Sequence, residues 1–166
     1  WYDYQCDRPG ATSQNIAQEL DRDYGGSMYR VFGSEFFEKA ESTVVVPITR
    51  GTLDIHPEKV TAEFNRNDHG PVLLWCPLNA RAEPPKHRYV VGADVCTGVG
   101  GEYTSNSSIE VFDEVTMEQV LEYVSNTIPP ADWADIAVAI AKWFHGAYLA
   151  WEHNGPGTAF TQRVLD

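Results

Sequence analysis

The order of the apolar patterns in the second half of the chain constrains its fold more than any other feature. Three short β-favouring runs, at 89–95, 108–112 and about 119–125, are separated by turn-forming residues, which predicts an antiparallel meander. A helical stripe follows, and another β-favouring run covers 147–152. Because a helical crossover normally returns the chain parallel to a strand of the same sheet, we expect 147–152 to lie beside 89–95.

The predicted crossover helix begins after the proline pair 129–130 and ends at Gly146. Its apolar residues recur at spacings of three and four, which places them on one helix face. They are Trp133, Ile136, Ala137, Ile140, Ala141 and Phe144. A turn at 154–157 leads into a last helix, predicted from Thr158 to Leu165. The fold class expected is therefore α/β, with a mixed sheet built from a meander, a helical crossover and a parallel strand.

The first 80 residues form a separate zone in this prediction. A helix is expected near its start, because Ile16, Ala17, Leu20 and Tyr24 fall on one face. Short β-favouring pieces follow at 44–46, 53–55 and 72–75. The run 79–86 contains two prolines and breaks all periodicity, so we predict a connector there. The expected domains are 1–80 and 81–166, and we expect the second to be incomplete at its C-terminal end.

Composition and charge exclude several classes of protein. The formal net charge is −12, and residues 89–166 contain two basic and eleven acidic residues, a balance that attracts cations and repels phosphate. Three cysteines without a C-x-x-C pair argue against a disulfide framework or a zinc knuckle. The sequence has no apolar stretch long enough for a membrane span and no secretory leader, so we expect no membrane partner. The noticeable basic cluster, expected to be a solvated loop, is Arg81, Lys86, His87 and Arg88.

Two acidic residues each follow a short apolar run: Asp94 after 89–93, and Glu152 after 147–151. A carboxylate at the end of a buried strand is costly unless a cation, a proton or a hydrogen-bond donor accompanies it. If the two strands are parallel neighbours, both carboxylates leave the same end of the sheet and can share a divalent metal. We therefore predict that Asp94 and Glu152 bind metal and act in catalysis. His145 and His153 are expected to be structural or surface residues.

Several stretches, in this order, resemble the nuclease domain of the large terminase subunit of tailed bacteriophages, which belongs to the ribonuclease H-like superfamily. They are YVVGAD at 89–94, SIEVFD at 108–113, MEQV at 117–120 and YLAWEHNGPG at 148–157. The segments 14–19 and 31–32 are similar to the region that joins the packaging ATPase to the nuclease in that family. Each motif is short, and only their combined order is specific.

The resemblance implies a metal-dependent endonuclease that cuts concatemeric double-stranded DNA during genome packaging. It assigns Asp94 and Glu152 to an acidic site holding two Mg²⁺ or Mn²⁺ ions. Asn154, which could form a hydrogen bond near the site, and Asn106, which stands where the family often has an Asp, are candidate supporting residues. A third acidic ligand is expected beyond Asp166. The implied partners are DNA, the small terminase subunit and the portal protein, in the cytoplasm of the bacterial host. The chain lacks a G-x-x-x-x-G-K-[ST] motif, so the resemblance does not extend to the ATP-driven motor.

The sequence leaves other functions open. A non-catalytic module could hold DNA or dock on the portal, and transposases and junction resolvases share the same strand order. Actin-like ATPases and sugar kinases also place an Asp on the first strand. Their turn usually reads D-x-G-[ST], whereas here the glycine after Asp94 comes two positions late, at Gly98.

Overall fold

A computed structural model of the chain describes residues 1–12, 16, 34–56, 58 and 60–166. Apart from Ile16, the helix predicted around Leu20 lies outside the described residues, as does most of the sequence resembling the ATPase-to-nuclease region. The chain divides into two compact units, Trp1–Val45 and Val46–Asp166. The described part of the first unit contains the helices α1, Tyr2–Asp7, and α2, Ser34–Ser42.

The second unit is built on a seven-stranded mixed sheet. Its strands in chain order are β1 Thr49–His56, β2 Thr61–Arg66, β3 Val72–Leu74, β4 Tyr89–Asp94, β5 Ser107–Asp113, β6 Gln119–Ser125 and β7 Tyr148–Trp151. They lie in the order β2-β1-β3-β6-β5-β4-β7 across the sheet. Strands β4, β5 and β6 form an antiparallel meander, and β7 pairs with β4 in parallel. The predicted α/β fold class, with its meander and parallel return strand, is confirmed.

Two helices follow the meander. The crossover helix α3, Pro130–Trp143, has Pro130 in its first turn, where the missing N–H of proline leaves no helical hydrogen bond unmade. All six residues of its predicted apolar stripe are buried. The last helix, α4, Gly157–Leu165, is joined to α3 by a bidentate pair, in which Arg163 donates to Asp135 at 2.8 and 3.1 Å. No helix in the described residues is long and apolar enough to cross a membrane.

The first part of the sheet differs from the sequence prediction. Residues 44–46 are not a strand, and all three valines are exposed. β-Propensity alone does not make a strand, and the following Pro47 cannot donate to a ladder. The piece predicted at 53–55 lies within β1, and the piece at 72–75 overlaps β3. Strand β2 was not predicted, although Ala62 and Phe64 alternate with polar residues and are its partly buried positions, and it pairs with β1 along its whole length.

The connector expected at 79–86 lies between β3 and β4. Strands on both sides of it belong to the same sheet. The connector is fastened to the C-terminal end of α3. Trp143 Nε1 donates to the Ala82 carbonyl at 2.9 Å, and His145 Nε2 contacts the Pro84 carbonyl at 2.9 Å.

The two faces of the sheet differ in burial. On the core face, Val91, Val111 and Leu121 form one cross-strand row and are fully buried. Side chains alternate along a strand, so the next row, Gly92 with Glu110 and Glu122, lies on the opposite face. Both glutamates are only partly buried. We call this second surface the far face of the sheet.

Candidate functional site

The two predicted site residues leave the same end of adjacent strands. Asp94 is the last residue of β4, and Glu152 directly follows β7. The parallel register pairs Val90 with Tyr148 and Ala93 with Trp151, so the next position along each strand brings Asp94 opposite Glu152. Neighbouring strands lie about 4.8 Å apart. The predicted strand pairing is thus confirmed, while metal binding by these two residues stays a prediction.

Both carboxylates are exposed and each accepts one local hydrogen bond. The N–H of Val95 donates to Asp94 Oδ1 at 2.9 Å, and Asn154 Nδ2 donates to Glu152 Oε1 at 2.7 Å. Asn154, predicted to support the site, therefore contacts Glu152 directly. Asn106 is exposed just before β5, two residues ahead of Ser108, which pairs with Asp94. It lies at the same end of the sheet.

A hydrogen-bond network fixes the segment that follows Glu152. Thr161 Oγ1 donates its single proton to the Gly157 carbonyl at 2.8 Å, since a carbonyl oxygen only accepts. The same hydroxyl oxygen accepts a bond from Trp151 Nε1 at 2.7 Å. It also lies 2.8 Å from His153 Nδ1, which must then be the donor. His153 thus acts structurally, in line with the sequence expectation, and this network ties the end of β7 to α4.

The same segment requires a close backbone approach at the start of α4. A Cβ placed on Gly157 would lie 1.9 Å from the Glu152 carbonyl oxygen. Such a distance is far inside van der Waals contact, so any other residue at this position must displace one of the two backbones. Gly157 therefore lets α4 begin directly against Glu152.

The chemistry of these residues fits part of a divalent-cation site. Carboxylate oxygens are hard ligands of the kind that Mg²⁺ and Mn²⁺ prefer. In the part of the chain that the structure describes, no group of three or more His, Cys, Asp and Glu side chains is placed to hold a metal. Asp94 and Glu152 supply two carboxylates, and the remaining ligands of an ion held there must come from elsewhere.

A pair of glutamates on the far face was not recognised in the sequence. Glu110 on β5 lies directly opposite Glu122 on β6, and Gln119 Nε2 donates to Glu110 Oε2. Burial and the charge of Glu122 raise the pKa of Glu110 to about 7, although the bond from Gln119 opposes the shift. Neither glutamate follows an apolar run, and their pairing depends on register, so only the alternation of β6 could have suggested it.

A buried aspartate at the opposite end of the sheet was also missed. Asp113 ends β5 and is 4% exposed. Burial alone would raise its pKa, but the bond from His87 and those from the N–H groups of Val115 and Thr116 together hold the pKa below its ordinary value. His87 Nδ1 lies 2.5 Å from Asp113 Oδ2. The carboxylate thus joins His87, in the segment before β4, to the turn after β5.

Two buried groups near Asp113 are inert at neutral pH. Burial raises the pKa of the Cys76 thiol to about 11 and that of the Tyr89 hydroxyl to about 12, with a smaller contribution from the Asp113 charge to each. The Tyr89 hydroxyl donates to the Pro85 carbonyl at 2.9 Å. Cys76 therefore behaves as a small core residue, as expected from the sequence.

No family model matches the chain, and no curated protein sequence matches it significantly. Solved structures do match. The chain is similar in structure to the large terminase nuclease from the thermophilic phage G20c. One structure of that nuclease aligns with a TM-score of 0.45 and 18% identity over 66% of this chain and 53% of the other.

Structures of the G20c nuclease with bound magnesium and with bound cobalt give closely similar values. Their TM-scores are 0.46 and 0.47 at 19% and 18% identity, again over 66% of this chain. The chain thus spans about half the length of these relatives, 52% and 53% respectively. They carry the same family name that the sequence motifs suggested.

Proposed function

We propose that the chain is the metal-dependent endonuclease domain of a phage terminase large subunit, which cuts concatemeric double-stranded DNA during packaging. The observation that carries the proposal is the parallel register of β4 and β7, whose last pair, Ala93 with Trp151, directly precedes Asp94 and Glu152. The motif resemblance supports it independently, since it assigns these same two positions to the acidic site. Residues 1–80 would then contain the connection to the packaging ATPase.

The site residues would act by binding and orientation. Asp94 and Glu152 would hold Mg²⁺ or Mn²⁺ through their carboxylate oxygens, and Asn154 would orient Glu152 through the bond to Oε1. A pair of bound ions supplies an activated water and stabilises the charge that develops on the phosphate. Asp94 and Glu152 supply two carboxylates to this site, and we propose that the third acidic ligand implied by the resemblance lies beyond Asp166. The small terminase subunit and the portal are the proposed partners, in the cytoplasm of the bacterial host.

The proposal predicts that conversion of supercoiled plasmid to nicked and linear forms needs Mn²⁺ or Mg²⁺ and both carboxylates. Asp94→Asn and Glu152→Gln keep the shape of each side chain and remove its charge, so each should lower the cleavage rate by at least about a hundredfold. Asp68→Asn, which removes one charge from an exposed turn, is the matched control and should cut like the unaltered chain. Equal residual cutting by all four proteins would show that it comes from a contaminant.

A second candidate function is a module that holds DNA without cutting it. The absence of a three-ligand acidic group in the described residues favours it for the chain as given. Two assays distinguish these functions: DNA binding in the presence of a chelator, and DNA cleavage in the presence of Mn²⁺. Binding without metal-dependent cleavage supports the holding module and contradicts the nuclease.

A further inference from the structure

A cleft of about 630 Å³ lies at the end of the sheet opposite Asp94 and Glu152. It is lined by Lys86, His87, Arg88, Val115, Thr116 and His145. Four of these side chains carry nitrogen donors. The nearby acidic residues Asp113 and Glu114 pair with two of them, His87 and Arg88. The nearest part of β4 starts at Tyr89, directly after Arg88, whereas Asp94 ends the same strand. Six residue steps at about 3.3 Å each separate Arg88 from Asp94 by roughly 20 Å.

Two imidazoles in this cleft are held in fixed orientations. The lowered pKa of Asp113 keeps it a carboxylate at neutral pH, so His87 Nδ1 donates to Asp113 Oδ2 and the Nε2 edge points away from that bond. The His87 ring also stacks on Tyr89, with centroids 6.0 Å apart. His145 Nε2 must donate to the Pro84 carbonyl, which can only accept.

Two flexible cations complete the cleft. Lys86 and Arg88 are both exposed, and 78% of the Arg88 side chain is accessible. Arg88 Nη2 pairs with Glu114 Oε1 at 3.0 Å. An exposed pair of this kind contributes little to stability, so the guanidinium can exchange this partner for a phosphate at low cost. The cleft thus combines two imidazoles of fixed orientation with two exposed cationic side chains.

The overall charge explains why a local cation site matters. A chain of net charge −12 repels DNA unless a confined positive surface faces the phosphates. After β4 begins, the sequence contains only Lys142 and Arg163 as basic residues, and Arg163 is engaged with Asp135. Three basic residues fall within 81–88, and two of them line the cleft.

We infer that this cleft binds the phosphate backbone of duplex DNA, with Lys86 and Arg88 each contacting a phosphate and with His87 and His145 lining the cleft in fixed orientations. The inference rests on the proposed action of the chain on DNA. Because the cleft lies roughly 20 Å from the carboxylate pair, it acts as an anchoring contact, away from the bond that is cut. It contributes affinity without sequence preference, as phosphate contacts do.

The test measures binding of a short fluorescent DNA duplex in chelator, over a series of salt concentrations. The double variant Lys86→Ala/Arg88→Ala should bind about tenfold more weakly and flatten the slope of log affinity against log salt by about two, since each phosphate contact contributes about 0.9. The charge-keeping swap Lys86→Arg/Arg88→Lys should bind nearly as the unaltered chain does. Both altered side chains are exposed, so the fold should survive, which a thermal melt verifies.

The matched control is Arg50→Ala/Arg66→Ala, which removes the same charge from two exposed arginines on β1 and β2. It should leave affinity and salt slope nearly unchanged. The inference would be overturned if both alanine double variants lowered the DNA affinity equally, or if neither lowered it. It would also be overturned if the unaltered chain did not bind DNA. Plasmid cleavage in Mn²⁺ is scored separately. If the unaltered chain cuts but the cleft variant binds normally, the inference fails while the proposed function stands.

Discussion

Glu110 shows how the sheet changes the chemistry of a single side chain. A solvated glutamate is ionised at neutral pH, but partial burial and the facing Glu122 bring the pKa of Glu110 to about 7. The protonated form is therefore favoured in the folded protein over a range in which the unfolded chain has already lost the proton. Asp113 shows the opposite case, because the donors from His87, Val115 and Thr116 outweigh its burial.

The raised pKa of Glu110 predicts that the folded protein loses stability as the pH rises. Below about 4.5 both states carry the proton, and between 4.5 and 7 only the folded state keeps it, so the free energy of unfolding falls across this window. The loss is at most about 3 kcal/mol and is reduced by solvent screening. Glu110→Gln should therefore be more stable than the unaltered chain at pH 8 and nearly equal to it at pH 4.5.

Urea denaturation followed by tryptophan fluorescence at several pH values measures this difference. Glu118→Gln is the matched control, since Glu118 is exposed in the turn before β6, and its curve should follow that of the unaltered chain. A Glu110→Gln curve parallel to the unaltered one across pH 4.5 to 8 would contradict the predicted ionisation.

At the scale of elements, β7 and α4 together hold Glu152 in place. Strand β7 has only four residues and lies at the edge of the sheet, so its pairing with β4 alone leaves its end poorly restrained. The Thr161 network and the close approach of Gly157 to Glu152 supply the missing restraint. The position of the candidate carboxylate therefore depends on the helix that follows it.

This dependence predicts that Gly157→Ala lowers both stability and any metal-dependent cleavage. The new Cβ overlaps the Glu152 carbonyl oxygen, so the segment must shift, and overpacking of this kind typically costs about 1–3 kcal/mol. Urea denaturation measures the stability, and plasmid nicking measures the metal-dependent cleavage. Gly92→Ala is the stability control, because a Cβ on Gly92 meets no atom within 4 Å. Equal stabilities of the two variants would disprove the steric argument.

At the scale of the whole molecule, the buried core belongs to the second unit. Its buried residues extend from Val72 to Phe160, and the partly buried residues packed against them begin at Leu53. All seven strands also lie after Val46. The unit Val46–Asp166 therefore contains its own sheet and core, which is the usual requirement for independent folding.

We accordingly expect a chain of residues 46–166 to fold cooperatively by itself. Its thermal unfolding, followed by circular dichroism and tryptophan fluorescence, should give a single transition near the main transition of residues 1–166. A chain of residues 81–166, which lacks β1, β2 and β3, should not give one, because β6 then loses its pairing with β3. Cooperative folding of the shorter chain would instead support the boundary predicted from the sequence.

The sequence by itself determined the second half of the fold. The meander, α3 and the parallel return of β7 follow from local periodicity and from the handedness of crossovers, which are encoded within each segment. The expectation that Asp94 and Glu152 lie at the same end of the sheet follows from the same pattern, because Asp94 ends β4 and Glu152 directly follows β7. Local sequence patterns were sufficient to predict each of these elements, because each element contains its own pattern of apolar residues.

Tertiary structure alone decided the rest. Strand β2 pairs with β1, whereas residues 44–46 are not part of a strand. The pairing of Glu110 with Glu122, the bond between His87 and Asp113, and the basic cleft join residues that are distant in the chain. Contacts of this kind depend on register and on packing between elements, which no local window of sequence contains.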